Sequence, residues 1–219
     1  MTNKLRLRFS KTGKAKYISH LDLMATMRRG MLRAGVGLKY SEGFNPHPYM
    51  SAALPLPVGV GSLCELMDFG PAPDYLPPDN LPELLSEALP EGIEVFQAYA
   101  PTRKFADIVW VEINGRLIYD EPPPDAAKRL AERFAAESII ISKKTKKGIS
   151  DIDIAPFVRE LEFYGDSEIT VKAQISAQSP SISPENLMSA LGGGYAGLKP
   201  DFALFTRTEV FDSDMNVFR

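Results

Sequence analysis

Two histidines, His20 and His47, are the only imidazoles in 219 residues. Each lies in a segment dense in groups that handle protons, phosphates or bases. His20 belongs to "KYISHLDLMATMRR", residues 16–29, and His47 to "YSEGFNPHPYMS", residues 40–51. An imidazole titrates near neutral pH, so His20 is a candidate catalytic acid or base, and cationic neighbours would favour its neutral form. The alternative is a core-side histidine that caps or hydrogen-bonds the loop. His47 stands between two prolines that stiffen the chain, while Gly43 and Asn45 permit tight turns. A stiff loop presenting Tyr40, Phe44, Asn45, His47 and Tyr49 suits ligand contact, because aromatic faces stack on bases and amides bond their edges. The same residues could equally make a structural turn anchored by Phe44 and Tyr49.

Other chemistries find little support. A two-histidine metal site would need Asp22 or Asp68 as further ligands, and no known ligand spacing is present, so no metal or other cofactor is expected. The single cysteine, Cys64 in the apolar "SLCELMDF", excludes thiolate-based zinc and iron–sulfur patterns and reads as a small buried hydrophobe. No phosphate-cradling glycine loop, nucleophile elbow or HExxH pattern occurs, and "ALGGGYAG" (190–197) follows a helix pattern instead of opening one.

The basic residues have a clearer use. Residues 1–49 carry ten Lys or Arg against two acids, whereas residues 50–102 carry eight acids and no base. Lys14, Lys16, Arg28, Arg29 and Arg33, with the basic face of a first strand and the "KKTKK" run (143–147), could neutralise successive phosphates. Solubility is the plain alternative, most of all for "KKTKK". The net charge of −3 argues against a coat that binds nucleic acid over the whole surface.

The elements that must position these groups can be read from periodicity. "KLRLRFS" (4–10) alternates with period two, a half-buried strand with Leu5, Leu7 and Phe9 inward and Lys4, Arg6 and Arg8 outward. Ser19 followed by Asp22 resembles a capping box, which opens a helix over about 20–34 that ends at Gly35 or Gly37. On a helical wheel Leu21, Met24, Met27, Met31 and Leu32 share one face, with Asp22, Arg29 and Arg33 opposite. A short extended segment, a strand in "SLCELMDFG", a helix near 79–88 and a strand at 92–100 complete a β-α-β-β-α-β order. A second such order follows: strands at 106–113, 138–142, 167–176 and 202–211, helices at 124–137 and 183–191, and an ambiguous "DIAPFVRELEFY". The expectation is an α+β protein of two tandem ferredoxin-like (βαββαβ) units with antiparallel sheets, residues 1–102 and 103–219. No apolar run is long enough to span a bilayer and the start lacks the apolar core of a secretory signal, so no membrane association and a cytoplasmic location are expected.

Residues 8–62 strongly resemble the radical-SAM-linked bacterial domain of unknown function. The resemblance rests on F-x-K-x-G-x-x-K-Y-I-S-H-L-D followed by Y-S-x-G-F-N-P-H-P, and it extends to "KKGISDIDIAPFVRELEF" and "FTRTEVF". One departure is Ala25, where arginine is expected after "HLDLM". The family has no established activity. It implies partnership with a radical SAM enzyme or a ribonuclease E/G-type enzyme. This chain lacks the cysteine cluster motif of the radical enzyme itself.

Three functions follow as expectations. The first is an RNA-binding or RNA-positioning accessory protein for tRNA or rRNA modification or processing. The second is a metal-independent endoribonuclease or RNA-modifying enzyme that uses His20. The third is an interaction module that docks a radical SAM enzyme.

Overall fold

A computed structural model describes residues 4–145, 148–166 and 168–219. It is a mixed α+β structure of antiparallel strands and few helices. The chain divides into two compact units, one running to Asp107 and including Arg219, the other Ile108–Phe218.

In the first unit the order is β1 (Leu5–Lys11), α1 (His20–Arg33), β2 (Met50–Ala52), β3 (Gly61–Phe69), α2 (Leu81–Ala88) and β4 (Val95–Tyr99). The sheet runs β4-β1-β3-β2, every neighbour antiparallel. Leu7 and Phe9 of β1 and Met67 and Phe69 of β3 form one core with Leu23, Met27 and Met31 of α1 and Leu81 and Leu85 of α2. Ser19 caps α1, its Oγ accepting the Asp22 N–H at 3.2 Å. This satisfies one of the orphan donors of the first turn.

Two expectations about this unit are corrected. The basic solvent face expected on β1 is only partly there: Lys4 is exposed and Arg8 half-buried, but Arg6 is 1% exposed and Lys11 at the strand's end is also buried. Arg6 donates to Asp68 and to the Arg103 carbonyl, with Phe105 packed over its guanidinium at 4.3 Å. Lys11 donates to the Ile18 carbonyl at 3.1 Å. A strand with cover on both sides buries both of its alternating sets, and the cover over Arg6 comes from residues about a hundred positions away. The helical wheel also turns: the buried side of α1 is Leu23, Met27, Gly30 and Met31, whereas Leu21 and Leu32 are exposed.

The second unit comprises β5 (Trp110–Ile118), α3 (Ala126–Phe134), β6 (Ile140–Thr145), β7 (Gly148–Asp153), β8 (Val158–Tyr164), β9 (Glu168–Ser176), α4 (Pro184–Ser189) and β10 (Phe202–Phe211). Its sheet runs β10-β5-β9-β8, again antiparallel, with β6 and β7 paired separately as a hairpin. The ambiguous "DIAPFVRELEFY" resolves into a short 3-10 turn at Ala155–Phe157 and then β8. The first strand begins later than expected, because residues 105–107 form a 3-10 turn. The basic run is no simple tip loop: Lys143 lies within β6, and Lys146 and Lys147 lie outside the described residues. Among the described residues no helix is long and apolar enough to cross a membrane.

Candidate nucleic-acid interface

The "NPHP" segment forms the far arm of a closed hairpin. The Lys39 N–H donates to the Gly70 carbonyl at 2.8 Å, the Gly70 N–H to Tyr49 at 2.8 Å and the Tyr49 N–H to Lys39 at 2.9 Å. This three-way lock ties both arms to the end of β3. Further out, the Ser41 N–H donates to the His47 carbonyl at 2.8 Å, and the His47 N–H returns to Ser41 Oγ at 3.0 Å. Gly70 keeps the lock close, since a Cβ there would stand 3.3 Å from Tyr49 Cβ and press the arms apart by a few tenths of an ångström. Gly43 turns the tip with φ +120°, a region that side chains disfavour.

The hairpin presents aromatic and polar groups to solvent. Phe44 is fully exposed, Asn45 and His47 are exposed, and Tyr40 and Tyr49 keep 38% and 50% of their surface open. Phe44, fully in solvent on a braced tip, contributes nothing to the core. The Lys39 ammonium stands 5.5 Å from the Tyr49 ring, which joins a cation to an aromatic face. The sequence did not single out Lys39 as a site residue, and it offered Lys4 only as part of the basic strand face. Pairing Tyr40 with Pro48 around the Gly43 turn would have placed Lys39 opposite Tyr49.

The basic residues around α1 are not equivalent. Lys14, Arg28 and Arg29 are exposed, and Lys16 is half-buried with its ammonium 5.1 Å from the Tyr17 ring. Arg33 is already engaged: Nε and Nη2 donate to the Ala88 carbonyl at 3.1 and 2.5 Å. That carbonyl closes α2, where a cation complements the helix dipole. Asp22 is held by its own cap, accepting from Ser19 Oγ at 2.7 Å. Half-buried His20 starts α1.

The two histidines occupy opposite ends of the first unit. Lys11, which contacts Ile18 just before His20, pairs with Ser62 at one end of the β1–β3 ladder; Leu5 pairs with Phe69, beside the hairpin anchor, at the other. Between His20 and that anchor lies α1, whose fourteen residues span about 20 Å. Tyr40, Phe44, Asn45, His47 and Tyr49 therefore lie together on the hairpin, at the end of the unit opposite Lys14, Lys16 and His20. Arg28 and Arg29 sit on the second half of α1, toward the hairpin end. Among the described residues no group of three or more His, Cys, Asp or Glu could hold a metal ion.

Several solved structures are similar at low identity. A chain of a Cbf5–Nop10–Gar1 complex has 10% identity and a TM-score of 0.48, covering 95% of this chain and 49% of that one. This chain thus spans about half of that protein's length. An unknown protein from Galdieria sulphuraria has 10% identity and a TM-score of 0.27, covering 94% and 98% of the two chains. Thermus thermophilus Cse3 bound to an RNA representing a pre-cleavage complex has 15% identity and a TM-score of 0.20, covering 92% and 98%. None of these likenesses bears on what this chain binds. Among curated proteins none matches. A family model does match, over residues 4–184, and by that match the chain belongs to the family described as an uncharacterized protein conserved in bacteria, DUF2344.

Proposed function

We propose that this protein is an RNA-binding accessory protein that positions a tRNA or rRNA for modification or processing, alongside a radical SAM or ribonuclease E/G-type partner. Its frame is read as two tandem ferredoxin-like units, which the strand orders β4-β1-β3-β2 and β10-β5-β9-β8 support. The observation that carries the functional reading is the braced hairpin with Phe44 wholly in solvent. Tyr40, His47, Tyr49 and Lys39 around it make a surface that stacks on bases. Arg28 and Arg29 supply phosphate contacts, and Lys14 and Lys16 extend the basic track toward the start of α1.

The test is a salt titration of binding to short single-stranded RNA. Binding that weakens linearly in log–log form with salt, and weakens again in Phe44→Ala, supports the reading. No binding at low salt sinks it.

A second reading has its own observation. Leu21 and Leu32 are 78% and 53% exposed on the outer face of α1, an apolar pair that suits a protein partner. If docking is the main role, Leu21→Glu with Leu32→Glu abolishes complex formation with a purified radical SAM partner while RNA affinity stays negligible in both proteins. The enzymatic alternative needs a second proton-transfer group beside His20, and Asp22, the nearest acid in sequence, is turned back onto Ser19.

A further inference from the structure

A pocket of about 200 Å³ opens at the base of the hairpin, lined by Pro48 and Tyr49, by Lys4, Ser51 and Asp68, and by Met50 and Phe69, whose side chains belong to the core. Its size selects the ligand first. Drug-sized ligands occupy about 300 to 1,000 Å³, so this volume suits a single ring system. Its walls select next. The half-exposed Tyr49 ring and Pro48 offer faces to a flat ring, while a carboxylate, a hydroxyl and an ammonium also line the pocket.

The polar rim is built, not incidental. Asp68 is 9% exposed and is gripped by Arg6 at 2.6 and 3.0 Å. One hydrogen bond at each oxygen leaves acceptor capacity on a group with about four lone-pair sites. Ser51 pairs with Asp68 in the β2–β3 register, and Arg6 pairs with Asp68 from β1. The row therefore fixes the direction of the carboxylate before any ligand arrives. A small anion fits poorly, since it would meet that carboxylate.

We infer that this pocket receives one unpaired nucleobase. The ring packs against Tyr49 and Pro48, a donor on its edge meets Asp68 or Ser51, and the attached phosphate meets Lys4 and Lys39. A base must leave its stack to enter such a site, so the preferred RNA is single-stranded or carries a flipped nucleotide. The inference rests on the RNA-binding reading and narrows it.

The experiment is an abasic scan. A short labelled single-stranded RNA is titrated by fluorescence anisotropy, with an abasic site placed at each position in turn. One position weakens binding to the wild-type protein about tenfold, the scale of one base–aromatic stack. In Ser51→Phe, which fills the pocket from the exposed strand β2, that discrimination disappears while the salt slope is kept. Should Ser51→Phe disturb β2, 2-aminopurine at the sensitive position reports entry into the wild-type pocket by a change in emission on binding. RNA that binds with salt dependence but shows a flat scan and unchanged 2-aminopurine emission overturns the pocket and leaves the proposed function standing. No RNA binding at all overturns both.

Discussion

Arg6 and Asp68 form a two-point ion pair inside the first unit, with Nε to Oδ1 at 2.6 Å and Nη2 to Oδ2 at 3.0 Å. Both groups are withdrawn from water, with side chains 1% and 12% exposed. Removing one partner strands the other charge, so Arg6→Met or Asp68→Leu alone costs about 3 to 5 kcal/mol in urea unfolding. The double variant recovers most of that loss, because two apolar groups replace two charges. Equal losses in single and double variants would show that the pair is not the source of the cost.

In the proposed function Arg28 and Arg29 meet phosphate and Phe44 meets bases, so their losses separate. Arg28→Ala with Arg29→Ala flattens the log–log salt slope by about 1.4, at about 0.7 for each phosphate contact on a single strand. Phe44→Ala lowers affinity by about five- to a hundredfold and leaves the slope unchanged. Anisotropy titrations at several salt concentrations measure both.

Arg33 bonds the carbonyl that closes α2, and its loss falls on stability. Arg33→Ala lowers unfolding free energy by about 1 kcal/mol, with the RNA salt slope unaltered. A slope that falls as it does for Arg28 and Arg29 would assign Arg33 to the nucleic-acid surface instead.

Tyr119 donates its hydroxyl to the Leu198 carbonyl at 2.8 Å, and burial, with the nearby Asp201 charge, pushes its pKa up to about 12. The raised value means that its contribution to stability is full below the usual tyrosine pKa near 10 and is lost as pH rises through about 12. In an ultraviolet titration one of eight tyrosines ionises near the end, and Tyr119→Phe removes that step. Tyr75 and Tyr99 are also raised by burial.

Asp153 accepts the backbone N–H groups of Ile139 and Ala155 at 2.8 and 3.0 Å, which holds its carboxyl below the ordinary value. Its contribution is present above the unfolded carboxylate pKa of about 3.9 and is lost as pH falls through the lower folded value. Protection of the Ile139 and Ala155 amides, measured against the intrinsic exchange rate at each pH, therefore falls in acid. In Asp153→Asn this extra acid sensitivity is missing.

Much of the local structure was legible in the chain. Ser19 and Asp22 mark the start of α1, because a short oxygen side chain there satisfies an orphan N–H whatever surrounds it. "FALFTRTEVF" is β10 over the whole expected range, since a long run of β-branched and aromatic residues has one good local solution. Gly43, Pro46 and Pro48 announced a stiff turn for the same local reason.

What the chain could not state is which second surface covers each element. Period two predicts two faces for β1 but not that Arg103 and Phe105 return to bury Arg6. Nor does a helical wheel choose between overlapping apolar arcs, and only the packed sheet places Leu23 inside and Leu21 in water. The separation of His20 from His47 is of the same kind, because it depends on the β1–β3 register. Sequence by itself determined the residue chemistry and the local conformations, which short-range sterics and hydrogen bonds control. Tertiary structure alone decided burial and proximity, because they depend on contacts between residues far apart in the chain.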